Sequence, residues 1–114
     1  MIRESLIVHL CTQAAWQAAQ ASGEYRPASL GSEGFIHCSR PDQVLEVVRR
    51  FYRHLPGLVL LWIDPRRLRP EIRWEAADGD RFPHLYGPLN LEAVVAAQDF
   101  DVHTGKLFPP NLSP

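Results

Sequence analysis

The alternation of apolar and polar positions predicts short strands and two main helices. An apolar run over residues 6–10 predicts a strand, and Thr12 follows it with a hydroxyl that can cap a helix over residues 13–21. Gly23 then supplies a stop signal for that helix. Residues 24–33 contain a proline, a glycine and several small side chains, which favours a connecting loop.

A second helix is predicted to begin at Ser39. Ser39 would serve as the N-cap, Pro41 would occupy the first turn, and Asp42 follows three residues after the cap. The next apolar residues recur at spacings of three and four, which is typical of a helix with one buried face. These residues are Val44, Val47, Val48, Phe51, Tyr52 and Leu55. Pro56 and Gly57 would end the helix.

Strands are predicted in the second half of the chain. Leu58–Ile63 is apolar on both faces, which is typical of a central strand covered on each side. Residues 72–75 alternate, so Arg73 and Glu75 would share the face that is solvated or lines a cleft. Residues 94–100 mix helical and extended signals.

The order of these elements favours a mixed α+β domain with a central, largely antiparallel sheet. Residues 103–106 resemble a hairpin turn that leads to a last strand through residues 107–108. A chain of 114 residues with 46% hydrophobic residues can build one core, so we expect a single domain over residues 1–114. Residues 109–114 begin with two prolines and would form its C-terminal tail.

Composition excludes several classes of protein. The formal net charge of −1 provides no long-range field for DNA or RNA, although 11 of the 12 basic residues are arginines. The longest apolar run, Leu58–Ile63, is far shorter than the ~20 residues that cross a bilayer. The N-terminal residues lack a leader pattern, so we expect a cytoplasmic protein without DNA or membrane partners. The sequence identifies no protein partner.

The two cysteines, Cys11 and Cys38, are expected to be free thiols, because a domain with its own core needs no disulfide. A metal site is not favoured. His9 and Cys11 share one face of a strand, but His37 and Cys38 point to opposite faces, and the chain has no Cys-x-x-Cys pair.

Two short segments contain candidate functional histidines. Residues 34–39 (Gly-Phe-Ile-His-Cys-Ser) predict a strand that presents His37, and residues 81–89 (Arg-Phe-Pro-His-Leu-Tyr-Gly-Pro-Leu) predict a shaped loop that presents His84 and Tyr86. We interpret them as the lining of a site. The alternative is structural, since histidines at strand ends are often only hydrogen-bonded and Pro-Gly pairs often only form turns. Tyr25 would similarly either cover the core or stack on a planar ligand.

These two segments, together with the residues before the first helix, resemble an uncharacterised bacterial family of unknown function, DUF952. The resemblance runs over nearly the whole chain. That family is similar in fold to the ADP-ribosyltransferases, which bind NAD in a cleft between two small β-sheets. A further likeness, to the RNA 2′-phosphotransferase branch, matches His9 at the end of the opening strand and His37 on a later strand. Leu10 follows His9 where the larger superfamily usually has a glycine.

The resemblance implies an ADP-ribosyl or phosphoryl transferase-like enzyme that uses NAD or a related nucleotide as substrate and requires no cofactor. Glu75 would stabilise positive charge on the ribose, and His84 would act as acid or base or else lock its own segment. The implied catalytic residues are His37, Glu75 and His84, and the implied ligand-binding residues are His9, Tyr25, Ser39 and Tyr86.

Two alternatives of a different kind stay open. The domain could bind a nucleotide or small metabolite without turnover. It could instead bind a protein through the arginines of the second helix or through Arg66, Arg67 and Arg69, although such runs are usually solvated.

Overall fold

The computed structural model describes residues 6–52, 57–107 and 110. Strands and helices alternate in the first half of the chain, and strands dominate the second half. The strands are β1 Ile7–Thr12, β2 Glu24–Tyr25, β3 Ile36–His37, β4 Leu58–Ile63, β5 Glu71–Ala77, β6 Asp80–Tyr86, β7 Leu89–Asn90 and β8 Val94–Phe100. The α-helices are α1 Gln13–Ser22, α2 Ala28–Ser32 and α3 Val44–Val47. Val48–Tyr52 continues α3 as a π-helical turn, and Pro65–Arg67 and Leu91–Ala93 form 3₁₀ turns.

The described strands form three antiparallel sheets, which confirms the mixed α+β class. Their orders are β1-β4-β8, β2-β7 and β3-β6-β5. Strand β4 lies in the middle of the first sheet and every one of its residues is buried, as its two-sided apolar pattern predicts. One face of this sheet packs against α1 and the other two sheets, and the opposite face packs against α3 and its π-helical turn.

A pair of backbone hydrogen bonds joins the first sheet to the segment after β3. The amide of Val8 donates to the carbonyl of Ser39 at 2.8 Å, and the amide of Ser39 donates to the carbonyl of Val8 at 2.9 Å. One residue earlier, the amide of Cys38 donates to the carbonyl of Pro83 at 3.1 Å. These bonds set the first and third sheets beside each other and place His9 close to His37.

Helix α1 follows the prediction. Thr12 is its N-cap, and the Thr12 hydroxyl accepts a hydrogen bond from the amide of Ala15 at 3.1 Å. Gly23 ends it with φ at 95°, a left-handed conformation that glycine adopts without a steric penalty. The segment after it is more regular than the predicted loop, because it contains β2 and α2.

The predicted start of the second helix at Ser39 is wrong. Both backbone polar groups of Ser39 pair with Val8, so this residue is extended, and α3 begins at Val44. The buried side chain of Gln43 supplies the cap-like contact instead, since its Oε1 accepts from the amide of Arg40 at 2.8 Å. The predicted end of this helix at Leu55 and Pro56 lies outside the described residues.

The predicted loop over residues 81–89 is also wrong. Residues 80–86 are strand β6, which pairs with β5 through a two-residue hairpin at Asp78 and Gly79. Both turn residues have positive φ, 50° and 82°, which matches the twist of the flanking strands. Residues 94–100 are strand β8, whereas residues 105–107 form no strand; residue 108 and most of the predicted tail lie outside the described residues.

In the described parts of the chain, the helices are all too short or too polar to cross a bilayer.

Candidate functional site

An open cleft of about 1010 Å³ lies between the third sheet and the segment formed by α3 and its π-helical turn. The alternation of β5 and β6 directs one set of side chains towards this cleft and the other set into the core. The cleft-facing set includes Glu75, Phe82, His84 and Tyr86, while Leu85 is fully buried between them. Strand β3 adds His37 directly opposite His84.

Glu75 is the centre of a hydrogen-bonded group on this face. Its Oε1 lies 2.7 Å from Nδ1 of His84 and accepts from the hydroxyl of Tyr86 at 2.6 Å. Its Oε2 has no hydrogen-bond partner among the described residues. The side chain is 37% exposed, so the second oxygen can accept a further hydrogen bond from a molecule in the cleft.

The electrostatics of this group fix where the protons lie. Hydrogen bonds from Tyr86 and then from His84 hold the pKa of Glu75 below its ordinary value, so the carboxyl group is ionised at neutral pH. Because a carboxylate only accepts, Nδ1 of His84 must carry the proton that is shared with Glu75. In the neutral ring, Nε2 of His84 is therefore an unprotonated acceptor.

Phe35 contacts the other aromatic rings of the site. It stacks on His84 with a centroid distance of 4.2 Å and lies 4.7 Å from the ring of His37. The His37 and His84 rings are 5.4 Å apart, and Nε2 of His37 lies 3.1 Å from a carboxylate oxygen of Glu33. The structure thus brings together His37, Glu75, His84 and Tyr86, which are four of the seven residues singled out from the sequence.

His9 and Tyr25 are placed differently. Nδ1 of His9 lies 2.5 Å from the carbonyl of His37 and must donate to it, so Nε2 accepts from the hydroxyl of Tyr25 at 2.7 Å. Burial lowers the pKa of His9 to about 4, which keeps the ring neutral. Both ring nitrogens are engaged within the protein. Tyr25 is buried and is not part of the cleft lining, whereas His9 does line the cleft, although it is only 7% exposed and its Nδ1 is bonded to the backbone of His37.

Ser39, the seventh candidate, lines the cleft and is only 7% exposed. Its hydroxyl has no hydrogen-bond partner in the described part of the chain. No described buried side-chain nitrogen or oxygen lacks a partner, so this hydroxyl must reach the cleft.

Sequence reasoning missed several residues of the cleft. Gln43 ties it together, since its amide nitrogen donates to Asp80 at 2.9 Å and to the carbonyl of Arg81 at 2.8 Å. Phe51, predicted to pack on the buried face of a helix, is 65% exposed at the cleft because the π-helical turn changes its direction. No capping signal marks Gln43, because Arg40 stands where a capping box has Ser or Thr, and no sequence signal identified the π-helical turn.

The cysteines are both free, as predicted, and the structure also places both of them in the interior. Burial raises the pKa of Cys11 to about 11 and also raises that of Cys38. Within the described ranges, no group of three or more His, Cys, Asp and Glu side chains is placed to hold a metal ion.

The arginines considered for protein binding are paired within the chain wherever the structure describes them, and Arg53 lies outside the described residues. Arg66 and Arg67 both lie within salt-bridge distance of the buried Asp64, and Arg69 lies 2.8 Å from Glu92.

Comparison with known proteins identifies relatives with the same fold. The crystal structure of CC0527 from Caulobacter crescentus is 38% identical, with a TM-score of 0.78 over 84% of this chain and 86% of that chain. The solution NMR structure of CC0527 is 37% identical, with a TM-score of 0.75 over 85% of each chain. No curated protein matches the sequence. Residues 10–97 match a family described as "Protein of unknown function (DUF952)", and the chain belongs to this family.

Proposed function

We propose that the cleft binds NAD or a related N-ribosyl nucleotide and that the protein is an enzyme of the ADP-ribosyltransferase-like type. The Glu75 carboxylate carries this proposal. It is ionised, one of its oxygens is held by Tyr86 and His84, and the other has no partner among the described residues. A fixed charge that needs no reorganisation is the kind of group that stabilises a developing positive charge.

The reaction at such a site would proceed at the glycosidic carbon. The bond between this carbon and the nicotinamide nitrogen breaks, and its electron pair neutralises the charged ring. Glu75 stabilises the positive charge that develops on the ribose. An acceptor hydroxyl then attacks the same carbon, and its proton passes to Nε2 of His84. With water as the acceptor, the products are ADP-ribose, nicotinamide and a proton.

The surroundings of Glu75 support its role as the stabilising charge and the role of His84 as the proton acceptor. The hydrogen bond to Glu75 keeps His84 in the tautomer that accepts a proton at Nε2, as the carboxylate does in other carboxylate–histidine pairs. His37 and Tyr86 lie beside it and can bind ribose hydroxyls or stack on a ring. Residues of the first and the third sheet both line the cleft, which supports the likeness to a fold that binds NAD between two small β-sheets.

A non-catalytic binding module is the second candidate. It is favoured by the lining of the cleft, where the Ser39 hydroxyl and the exposed Phe51 ring can bind a molecule without reacting with it. Binding without turnover would be the signature of this alternative.

The test is an amide and imidazole NMR titration with NAD, followed by measurement of released nicotinamide. We expect saturable shifts at His37, Glu75 and His84. Glu75→Gln should still bind NAD but should release nicotinamide about 100-fold more slowly, since removing one electrostatic contact to a transition state costs on this order. The matched control is Glu92→Gln, which makes the same change from carboxylate to amide at a residue outside the cleft lining.

Three results decide between the candidates. Release that depends on Glu75 supports the enzyme. Binding at these residues without release rejects the enzyme and leaves the binding module. No shifts at millimolar NAD reject the NAD site altogether.

A further inference from the structure

Carboxylates dominate the lining of the cleft. Six of them line it: Glu33, Asp42, Glu46, Glu75, Asp78 and Asp80. Among the described residues, Arg50 is the one arginine or lysine in the lining. Its guanidinium lies 3.3 Å from Glu46 and 3.6 Å from Asp78, so its charge is already compensated.

Hydrogen bonds hold the pKa of three of these acids, Asp42, Glu75 and Asp80, below the ordinary value. A hydrogen bond from Arg40 lowers the pKa of Asp42, and a hydrogen bond from Gln43 lowers that of Asp80. Arg40 lies outside the lining and pairs with both aspartates, yet the acids still outnumber the bases. The cleft therefore has a negative potential, in a protein whose formal net charge is only −1.

Two nearly buried polar groups show that the cleft is built to receive a molecule. Ser39 is 7% exposed and its hydroxyl has no hydrogen-bond partner in the described ranges. The side chain of His84 is 9% exposed, and its Nε2 likewise has none. Polar groups at this depth are normally hydrogen-bonded, and no described buried nitrogen or oxygen atom is sealed off without a partner. Both groups therefore turn their free hydrogen-bonding capacity towards the cleft.

Aromatic rings complete the lining. The guanidinium of Arg73 lies 4.2 Å from the centre of the Tyr86 ring, so one ring at this site already holds a cation. Phe51 is 65% exposed and borders the cleft from the π-helical turn. Such turns are rare in proteins, and those that occur are often found at functional sites. The ring of Phe51 is available for a planar or cationic group.

We infer that this cleft selects planar organic cations over phosphate-bearing ligands. Carboxylates attract a delocalised positive charge and repel a diphosphate, and an exposed aromatic ring favours the same cations. The inference rests on the proposed function, because it concerns the same cleft. If NAD binds there, its charged nicotinamide ring would lie inside the cleft and its diphosphate outside.

The test uses two pairs of ligands that differ mainly in charge. Nicotinamide is neutral, and 1-methylnicotinamide adds one methyl group and one positive charge. Adenosine is neutral, and AMP adds a phosphate. We expect 1-methylnicotinamide to bind about tenfold more tightly than nicotinamide, with the preference shrinking as salt is added, and AMP to bind no more tightly than adenosine. NMR titration reports both the affinity and the residues that are contacted.

Variants connect the preference to the lining. Asp78→Asn should reduce the preference for the cation by roughly two- to threefold, as expected for one partly screened charge. Asp99→Asn makes the same change outside the cleft lining and should leave the preference unchanged. Phe51→Ala should weaken the binding of both nicotinamide and 1-methylnicotinamide.

The outcomes separate this inference from the proposed function. Equal affinity for the two nicotinamides, or tighter binding of AMP than of adenosine, overturns the charge selection and leaves a nucleotide site intact. Selective binding of the cation without cleavage of NAD overturns the proposed enzyme and leaves the charge selection intact. No binding by any of the four ligands overturns the charge selection, whereas the proposed function is rejected only by the absence of shifts with NAD itself.

Discussion

Nδ1 of His84 and Oε1 of Glu75 lie 2.7 Å apart on neighbouring strands, although the two residues are not direct partners in the ladder. His84 pairs with Arg73 and Glu75 pairs with Phe82, so the contact runs diagonally across one face. An ionised carboxylate so placed determines which nitrogen of the ring carries the proton.

We expect neutral His84 to be in the Nδ1-H tautomer, which ¹⁵N chemical shifts of the ring measure directly. Glu75→Ala should convert it to the mixture that is typical of a solvated ring. The exposed His103 is the control, because its ring has no hydrogen-bond partner among the described residues and should show that mixture in both proteins. An Nε2-H ring at position 84 in the native protein would contradict the assignment.

Tyr86 should control the acidity of Glu75. Its hydroxyl is the largest cause of the lowered pKa of Glu75, so Tyr86→Phe should raise this pKa towards the ordinary value. A carboxyl group whose pKa is depressed in the folded state stabilises the fold at pH values above its unfolded-state pKa. This stabilisation is lost as the pH falls through the folded-state pKa. Tyr86→Phe should therefore lose less stability on acidification than the native protein.

Carboxyl ¹³C titration measures the first effect, and urea denaturation at several acidic pH values measures the second. The matched control is Tyr52→Phe, which removes a hydroxyl without a hydrogen-bond partner among the described residues. An unchanged Glu75 titration in Tyr86→Phe would assign the shift to His84 instead.

His9 should make the protein less stable as pH falls from 6.5 towards 4. The folded pKa is about 4 and the ordinary value is 6.5, so the unfolded chain takes up a proton that the folded protein excludes. The full loss would be about 3 kcal/mol, from 1.36 kcal/mol for each pKa unit.

Most of this loss lies above the range where the carboxyl groups titrate, so unfolding free energies at pH 7 and pH 5 separate it from theirs, and a His9 variant separates it from the other histidines. His9→Asn should flatten the dependence in that interval. His103→Gln replaces an exposed histidine and should leave the slope as it is. A slope that His9→Asn does not change would show that another group is responsible.

Gln43 should stabilise both the fold and one wall of the cleft. Its buried side chain accepts from the amide of Arg40 and donates to Asp80 and to the carbonyl of Arg81. Gln43→Ala should lower the unfolding free energy by roughly 1–3 kcal/mol, the cost of leaving buried polar groups without partners. It should also speed exchange of the Arg40 amide, which loses its hydrogen bond to Oε1 of Gln43.

The control is Gln17→Ala, on the exposed face of α1, where alanine is a good helix former. This variant should be neutral or slightly stabilising. If the two variants were equally stable, the contacts of Gln43 would contribute nothing to the fold.

The sequence predicted those parts of the fold that depend on short-range patterns. Thr12 and Gly23 bound α1 because capping and left-handed glycine act within a few residues. Strand β4 was predicted from its apolar run, since burial on both faces leaves little alternative. The two histidine segments were predicted to line one site, and β3 and β6 place His37 opposite His84.

The errors arose where a distant contact overrides a local signal. Ser39 has the residue type of an N-cap, but its backbone pairs with Val8, which is distant in sequence. In β6, Pro83 and Gly87 suggested a loop, although Asp78 and Gly79 form the two-residue turn that is a strong hairpin signal. The acidic character of the cleft was not predicted, because its carboxylates come from separate segments that only the fold brings together.

The position of Phe51 at the cleft depends on the number of residues in the π-helical turn Val48–Tyr52. A turn of this kind holds one residue more than an α-helical turn of similar span. Deleting a single residue before Phe51 would let this turn close with α-helical geometry, which advances by roughly 100° per residue, and would change the direction of the ring relative to α3. Homologues that differ by one residue here would therefore share the fold and differ in what they bind, so this segment is a place where insertions and deletions can change specificity.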